Sequence, residues 1–210
     1  VITGASSGIG YALARELASG KCHVGLIARR GERLETLTKE INAAGGRAAF
    51  AVADISNREQ TVAAIHGLRD QLGPVDLLVA NAGIGSPTSL EPLDPELTER
   101  VFRVNTFGVV YAVEAVLPEM LKRGQGHLAA VSSLAGYAGL PGESGYCASK
   151  AAVNVYLDGL RIHLRDRGVE VTTLCPGFVR TPMTAPNKFH MPWLIDADEA
   201  ARRMVRALAR

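Results

Sequence analysis

Short apolar runs alternate with amphipathic stretches along the whole chain, and this alternation restricts the possible folds more than any other feature. The apolar runs are residues 23–28, 47–53, 75–80, 127–131 and 169–174. Strands that are apolar throughout are buried on both faces, as they are in parallel sheets covered by helices. The sequence therefore predicts an α/β fold with a doubly wound parallel sheet in three layers, helices on either side of the strands.

Stretches of helical length separate the apolar runs. They cover residues 9–19, 31–43, 57–71, 95–123, 144–167 and 197–208. Right-handed crossovers between parallel strands place such helices on both faces of the sheet. Since 210 residues with 47% hydrophobic side chains suit one core, we predict a single domain over residues 1–210.

Both ends of the chain interrupt the predicted fold. Val1-Ile2-Thr3 has the composition of the end of a buried strand, and strands usually have about five or six residues. We expect a first strand truncated at Val1. We also expect a last strand to be missing after Arg210, where a helical pattern stops without glycine or proline.

One long segment without strand character lies between Pro176 and Asp196. Prolines break its regularity, while five large apolar side chains give it a hydrophobic surface: Phe178, Met183, Phe189, Met191 and Trp193. A loop of this length beside the carboxyl end of a strand is typical of a lid, which we place at residues 178–195.

Charge and cysteine content exclude several functional classes. The net charge is +2 and the basic residues are scattered, which predicts neither a nucleic-acid partner nor a charged membrane-binding surface. No apolar run is long enough for a membrane span, and no signal peptide is visible. The three cysteines, Cys22, Cys147 and Cys175, are widely spaced, so we expect no metal site, no disulfide framework and a cytoplasmic location.

A glycine-rich loop, Thr3-Gly-Ala-Ser-Ser-Gly-Ile-Gly10, follows the first predicted strand and opens the first helix. Gly4 permits a tight turn, Gly8 lets the backbone approach a pyrophosphate, and Gly10 allows close helix packing. The predicted dinucleotide contacts also include Ser6, Ser7 and Ile9. The alternative is a glycine-rich turn that binds nothing.

The second predicted strand ends in Ala28-Arg29-Arg30. In nicotinamide-binding sheets an acidic residue at this end bonds the adenosine ribose, but Ala28 has no carboxylate. Arg29, with Arg30 beside it, can pair with a 2′-phosphate instead. The sequence thus favours NADP(H) over NAD(H), unless these arginines are merely solvated.

Two further strand ends supply candidate cofactor contacts. Asp54 can accept a hydrogen bond from the adenine amino group, with Ile55 packing on the ring, or it can cap the helix that begins near Ser56. Asn81-Ala82-Gly83 ends the next strand, and its small residues let the backbone pass close to a ribose, although a plain turn would look similar.

Tyr146 and Lys150 are four residues apart, and Ser133 precedes the tyrosine by thirteen residues. Residues at i and i+4 share a helix face, so the Lys150 ammonium can favour ionisation of the Tyr146 phenol and lower its pKa. A phenol tuned in this way exchanges protons near neutral pH. The pair alone is also what an ordinary half-exposed helix would show.

These segments, in this order, resemble the short-chain dehydrogenase/reductase family in its compact Rossmann-fold form. The resemblance covers nearly the whole chain and rests on the glycine loop, Asp54, Asn81-Ala-Gly83, Asn105, Ser133, Tyr146-x-x-x-Lys150, and Pro176-Gly177 followed by Thr181. It implies that Tyr146 is the general acid of carbonyl reduction and that Ser133 bonds the substrate oxygen. Lys150 would hold the nicotinamide ribose, and Asn105 a water connecting Lys150 to solvent.

The resemblance also implies contacts to the nicotinamide from Pro176, Gly177, the Val179 backbone and the Thr181 hydroxyl. Four apolar residues are candidates for the substrate side: Tyr137, Leu140, Met183 and Trp193. They would give a pocket more apolar than charged, unless the lid residues pack against the body of the domain.

The leading hypothesis is an NADPH-dependent carbonyl reductase or alcohol dehydrogenase that acts on a small or medium-sized, fairly apolar substrate. A non-catalytic NADP(H) sensor and an assembly subunit are the alternatives, and retention of Ser133, Tyr146 and Lys150 argues against both. The helices at residues 95–123 and 144–167 carry apolar faces, so we expect a homodimer or homotetramer.

Overall fold

Six parallel strands form the central sheet, in the order β3-β2-β1-β4-β5-β6. The computed structural model describes residues 1–20 and 22–209, so that Lys21 and Arg210 lie outside it. The strands are β1 (Ile2–Thr3), β2 (His23–Ala28), β3 (Arg47–Val52), β4 (Leu77–Ala80), β5 (Gly126–Val131) and β6 (Val169–Leu174). The predicted doubly wound parallel sheet is confirmed.

Seven α-helices are found in the described residues, and they cover both faces of the sheet. They are α1 (Gly8–Ser19), α2 (Gly31–Ala43), α3 (Arg58–Leu72), α4 (Pro95–Phe102), α5 (Gly108–Arg123), α6 (Ser144–Leu164) and α7 (Ala197–Leu208). The predicted bounds of α2 and α7 are confirmed. The predicted helix at residues 144–167 ends earlier, at Leu164, and Gly168 follows in a left-handed conformation (φ +69°).

Two hydrophobic cores fill the space between the sheet and its helices. Leu78 of β4 packs in one core with Ile65 of α3 and Val113 of α5. The next residue, Val79, packs in the other core with Leu13 of α1 and Leu34 of α2. Successive strand residues point to opposite faces, so a sheet buried on both sides requires apolar residues at every position.

The prediction of a single helix over residues 95–123 is wrong. α4 ends at Phe102, a five-residue π-helical turn spans Arg103–Phe107, and α5 begins at Gly108. The turn contains Asn105, which is fully buried and bonded to residues of two other segments. Single π-turns within helices often accompany functional side chains.

The Pro95–Arg123 helical region is also long and apolar enough to cross a membrane by length and composition, with a mean hydropathy of 1.3 over eighteen residues. Core helices of soluble proteins meet the same criterion. Here Ala112, Val113 and Met120 of α5 are buried in the core beside β4 and β5.

The predicted lid is not entirely without strands. Strand β7 (Val179–Arg180) pairs in parallel with β8 (Ile195–Asp196), and Arg180 Nε donates to Asp196 Oδ1 at 2.9 Å. These short strands join the two ends of the segment, so that residues 181–194 project from a paired base.

Candidate active site

A cleft of about 350 Å³ opens at the carboxyl edge of the sheet, where β1 and β4 are neighbours. The strand order reverses at this position, and crevices at such reversals are the usual ligand sites of parallel α/β sheets. Most of the predicted site residues line this cleft, namely Gly4, Ser6, Ser7, Gly8, Ile9, Arg29, Arg30, Asp54, Ile55, Asn81, Ala82, Gly83, Ser133, Tyr146, Lys150, Pro176, Gly177, Val179, Thr181 and Met183.

The glycine loop packs as closely as the sequence predicts. A Cβ atom on Gly10 would lie 2.4 Å from Asn81 Nδ2 and 2.5 Å from the Gly4 carbonyl oxygen, so only glycine fits there. Gly8 adopts a left-handed conformation (φ +56°). The Ser7 side chain makes no capping bond to α1, which leaves the amino end of that helix available to an anion.

The two arginines after β2 have different partners. Arg30 donates to the Ser6 hydroxyl at 2.8 and 3.1 Å and to the Ser7 hydroxyl at 2.6 Å, and thereby ties the end of β2 to the glycine loop. The Arg29 side chain is 68% exposed, and its Nη1 atom lies 4.0 Å from Asp54 Oδ2. Both guanidinium groups border the cleft, but Arg29 is the freer of the two to meet a ligand.

Asp54 does not cap a helix. Its Oδ1 atom accepts bonds from the Ser56 backbone N–H at 2.9 Å and the Ser56 hydroxyl at 2.8 Å, while the cap of α3 is Asn57, which accepts from the Gln60 N–H. Burial raises the pKa of Asp54, but the Ser56 bonds and the Arg29 charge together hold it below its ordinary value. The carboxylate is therefore ionised at neutral pH.

Thr3 positions the end of β4, a role that the sequence analysis missed. Its hydroxyl accepts bonds from the backbone N–H groups of Asn81 and Ala82, both at 3.0 Å. Asn81 Nδ2 donates to the Thr3 carbonyl oxygen at 2.9 Å. The first and fourth strands are thus joined at the floor of the cleft. A polar residue ending an apolar strand was the available signal.

Ser133 and Tyr146 are brought together. Ser133 precedes a short 3₁₀ turn, Leu134–Gly136, and its hydroxyl accepts a bond from the Ala135 N–H at 3.1 Å. Burial raises the pKa of the Tyr146 phenol above its ordinary value, a hydrogen bond with Ser133 lowers it, and the charges of Glu143 and Cys147 raise it. The net direction is opposite to the predicted lowering by Lys150, because burial dominates.

Lys150 is almost fully buried, with 4% of its surface exposed. Its Nζ atom lies 5.8 Å from the centre of the Tyr146 ring and donates to the Val131 carbonyl oxygen at 2.9 Å. Burial lowers the pKa of the ammonium to about 8, with the charge of Cys175 opposing this. Lys150 and Tyr146 therefore share a helix face as predicted.

Asn105 points into the protein, not into solvent. Its Oδ1 accepts from the Ile84 N–H at 2.8 Å, and its Nδ2 donates to the Ile84 carbonyl oxygen and to Ser149 Oγ, both at 3.0 Å. The Ser149 hydroxyl in turn donates to the Tyr146 carbonyl oxygen at 2.7 Å. A buried hydrogen-bonded chain thus links the π-helical turn to the Tyr146 turn of α6. The link that Ser149 forms between Asn105 and the Tyr146 carbonyl oxygen was not predicted from the sequence.

The segment after β6 closes over the glycine loop. A Cβ atom on Gly8 would lie 3.1 Å from Thr181 Cγ2. Thr184, a residue not predicted, fixes this segment, since its hydroxyl donates to the Val179 carbonyl oxygen at 2.7 Å and accepts from the Thr181 N–H at 3.1 Å.

Only one of the predicted substrate residues borders the cleft. Met183 lines it, whereas Tyr137, Leu140 and Trp193 do not, and they are 71%, 44% and 92% exposed. Tyr137 instead lies over Cys175, with its hydroxyl 3.6 Å from the Cys175 Sγ atom. The apolar composition of these segments did not show which of their side chains reach the cleft.

Comparison with known proteins agrees with this geometry. Residues 1–191 match the family model described as short chain dehydrogenase. An oxidoreductase of Myxococcus xanthus is 40% identical over 210 residues, which are 100% of this chain and 83% of that protein. The ketoacyl reductase HetN of Nostoc is 33% identical over 195 residues, which are 92% of this chain and 68% of that protein.

Solved structures show the same fold with nicotinamide cofactors. An alcohol dehydrogenase of Thermococcus sibiricus complexed with 5-hydroxy-NADP superposes with a TM-score of 0.90 at 29% identity, covering 100% of this chain and 89% of that one. A short-chain dehydrogenase/reductase of Burkholderia phymatum in complex with NAD has a TM-score of 0.90 at 27% identity, with coverages of 99% and 84%. The chain belongs to the short-chain dehydrogenase/reductase family and is an NAD(P)-dependent oxidoreductase.

Proposed function

We propose that this enzyme transfers hydride between NADP(H) and a carbonyl or alcohol group, with Tyr146 as general acid in reduction and general base in oxidation. The observation that carries the proposal is the convergence of Ser133, Tyr146 and Lys150 in the cleft that also contains the glycine loop. Neither a sensor nor an assembly subunit requires this combination of side chains.

The chain fits the cofactor at several positions. Gly4, Gly8 and Gly83 leave the backbone bare along one wall, where a Cβ atom on Gly83 would lie 3.3 Å from Asn105 Oδ1 and 3.4 Å from Lys150 Nζ. When bound, NADPH supplies the hydride, which brings two electrons to the substrate carbon. Lys150 would hold the nicotinamide ribose hydroxyls, Thr181 and the Val179 backbone the carboxamide, and Asp54 with Ile55 the adenine.

The acid-base chemistry belongs to the protein. A Tyr146 phenol with a raised pKa is protonated at neutral pH, which suits a proton donor. As the carbonyl oxygen gains charge, the Tyr146 O–H bond breaks and its proton forms the new O–H bond of the alcohol. Ser133 donates a hydrogen bond to the same oxygen, and the Lys150 ammonium stabilises the resulting phenolate. The phenolate would then regain a proton from solvent by way of Lys150, which a water at Asn105 would connect to solvent.

The preference for NADP(H) rests on charge at the end of β2. Ala28 offers no carboxylate to the adenosine ribose, and the exposed Arg29 guanidinium is positioned beside the cleft. Arg30 keeps Ser6 and Ser7 in place at the same corner. Two guanidinium groups next to a helix amino end favour a cofactor with an additional phosphate.

The substrate is proposed to be small to medium in size and largely apolar. Met183 borders the cleft, and Leu140, Tyr137 and Trp193 expose apolar surface on the segments beside it. Residues 178–195 would then act as the lid over that substrate. Because its three cysteines are free thiols, we place the enzyme in a reducing compartment, the cytoplasm.

A homodimer or homotetramer is proposed from the exposed apolar residues of α6 and of the turn before α5. Val155 and Ile162 are 72% and 75% exposed, and Phe107 is 47% exposed. Substituting Ile162→Glu should shift the sedimentation coefficient to that of a smaller species, whereas a wild-type monomer would contradict assembly.

Replacing Tyr146 with Phe tests the central assignment. NADPH should bind to Tyr146→Phe as it does to the wild type, measured by nicotinamide fluorescence. Turnover of a panel of ketones, aldehydes and quinones should fall by roughly 10²–10⁴-fold, because the proton donor is gone. Tyr156→Phe is the matched control, since Tyr156 lies on the same helix as Tyr146 but outside the cleft lining. Unchanged turnover in Tyr146→Phe would overturn the proposal.

A further inference from the structure

Asn154 is a buried polar residue on the catalytic helix that the mechanism does not use. It lies eight residues after Tyr146 and four after Lys150, on the same face of α6, and is 8% exposed. Buried carboxamides are normally hydrogen-bonded, so the partners of Asn154 show which segments of the site its side chain fixes in place.

The two ends of the Asn154 carboxamide contact two different loops of the site. Its Nδ2 atom donates to the Gly136 carbonyl oxygen at 3.3 Å, at the end of the turn that begins with Ser133. Its Oδ1 atom accepts from the Cys175 thiol, with a Sγ–Oδ1 distance of 3.9 Å. Cys175 immediately precedes Pro176 and Gly177, so one side chain joins α6 to both loops.

The turn lies directly on the backbone of α6. A Cβ atom on Gly136 would be 2.6 Å from Asn154 Nδ2 and 3.1 Å from the Lys150 carbonyl oxygen, so the contact tolerates only glycine. The Ser132 hydroxyl donates to the same Lys150 oxygen at 3.2 Å. The Ser133 hydroxyl is bonded to the Ala135 N–H, and therefore a movement of the turn moves that hydroxyl.

We propose that Asn154 is a positioning residue that clamps the Ser133–Gly136 turn against α6 and so sets the Ser133 hydroxyl relative to the Tyr146 phenol. The inference rests on the proposed function, in which these two groups act on one substrate oxygen. Removing the carboxamide leaves the Gly136 carbonyl oxygen without its partner and frees the turn. The interaction of the Ser133 hydroxyl with the Tyr146 phenol then weakens, although neither residue has been altered.

The experiment reads the ionisation of Tyr146 and needs no substrate. The phenolate absorbance of each variant is titrated and corrected with its Tyr146→Phe counterpart, because the protein has five tyrosines. Three groups act on this phenol in the structure, Ser133 lowering its pKa and Glu143 and Cys147 raising it. Substituting Asn154 should change only the contribution of Ser133, because Asn154 holds the turn that carries Ser133.

The expected result is a Tyr146 acid dissociation constant about tenfold lower in Asn154→Ala, equivalent to about one pKa unit. Ser133→Ala should give a similar change, and the double variant no more than either single one, since both act on the same interaction with the phenol. His163→Ala, an exposed position in the last turn of α6, should leave the constant unchanged.

Three outcomes would overturn the clamp. An unchanged Tyr146 constant in Asn154→Ala, with a clear change in Ser133→Ala, removes Asn154 from the positioning role, as do strictly additive effects. If Asn154→Ala does not fold, Asn154→Leu keeps the volume and is titrated instead. Failure of both to fold while His163→Ala folds makes Asn154 a purely structural residue. No change in Ser133→Ala would instead refute the proposed pairing of Ser133 with Tyr146.

Discussion

The Nζ atom of Lys150 donates a hydrogen bond to the Val131 carbonyl oxygen at 2.9 Å, at the wall of the cleft. Burial lowers the pKa of the Lys150 ammonium group to about 8, and the charge of Cys175 opposes this only in part. A buried ammonium opposes folding. Lys150 therefore destabilises the protein in order to place a cation beside Tyr146.

Substituting Lys150→Met should stabilise the protein while abolishing turnover. Lowering a pKa from 10.5 to about 8 corresponds to about 3 kcal/mol of destabilisation at pH 7, and loss of the bond to Val131 offsets about 1 kcal/mol of the gain. We expect the free energy of unfolding to rise by about 2 kcal/mol in urea titrations at pH 7.

The pH dependence of the free energy of unfolding shows whether the gain in Lys150→Met comes from the lowered pKa of Lys150. Between pH 8 and 10.5 the unfolded wild-type chain retains a proton on Lys150 that the folded protein has lost, so stability rises with pH in this window. Lys150→Met should lack this rise. Lys188→Met, which removes an exposed lysine, should follow the wild-type curve. Parallel curves for wild type and Lys150→Met would contradict the lowered pKa.

The two arginines after β2 should affect cofactor binding differently. Arg29→Ala should raise the Kd for NADPH at least tenfold and leave that for NADH nearly unchanged, because only a phosphate contact is lost. Arg30→Ala should weaken both cofactors, since it also releases Ser6 and Ser7 at the pyrophosphate loop. Nicotinamide fluorescence measures both constants.

Arg47→Ala is the charge-matched control for these variants, because Arg47 is the first residue of β3, at the amino ends of the strands and away from the cleft. Its Kd values should equal those of the wild type. Equal loss of NADPH and NADH affinity in Arg29→Ala would count against a 2′-phosphate contact.

Local sequence patterns predicted the segments whose structure is set locally. Helix α2 has the predicted bounds because Leu34, Leu37 and Ile41 form an uninterrupted helical stripe that is buried. The glycine loop was likewise predictable, since it follows a strand end where Gly8 has a left-handed backbone and Gly10 has no room for a Cβ atom.

Features set by distant partners were not predictable in this way. The π-helical turn at Asn105 depends on Ile84, 21 residues away, and on Ser149, 44 residues away. The Tyr146 pKa depends on burial of the phenol, which the spacing to Lys150 does not reveal. Similarly, apolar composition could not show that Trp193 points into solvent.

Alanine substitutions at two glycines distinguish a glycine required by close packing from one that only makes the backbone more flexible. Gly10→Ala should prevent folding or abolish cofactor binding, because its Cβ atom would overlap Asn81 and the Gly4 carbonyl oxygen. Gly67→Ala has open space in the middle of α3, so it should raise the free energy of unfolding by about 0.5–1 kcal/mol. Thermal unfolding distinguishes the two, and equal effects would contradict the close packing at Gly10.

Trp193 tests whether residues 178–195 close over a substrate. It is the only tryptophan, is 92% exposed, and has a left-handed backbone (φ +51°), so the free enzyme should emit as a solvated indole. Binding NADP⁺ together with an unreactive apolar ketone analogue should shift the emission to shorter wavelength and reduce acrylamide quenching.

Trp193→Ala should raise KM about three- to tenfold with little change in kcat, because a contact to the bound substrate is lost. NADP⁺ alone is the control and should leave the quenching unchanged. If quenching is equally unchanged in the ternary complex, Trp193 does not contact the substrate and the lid does not enclose it.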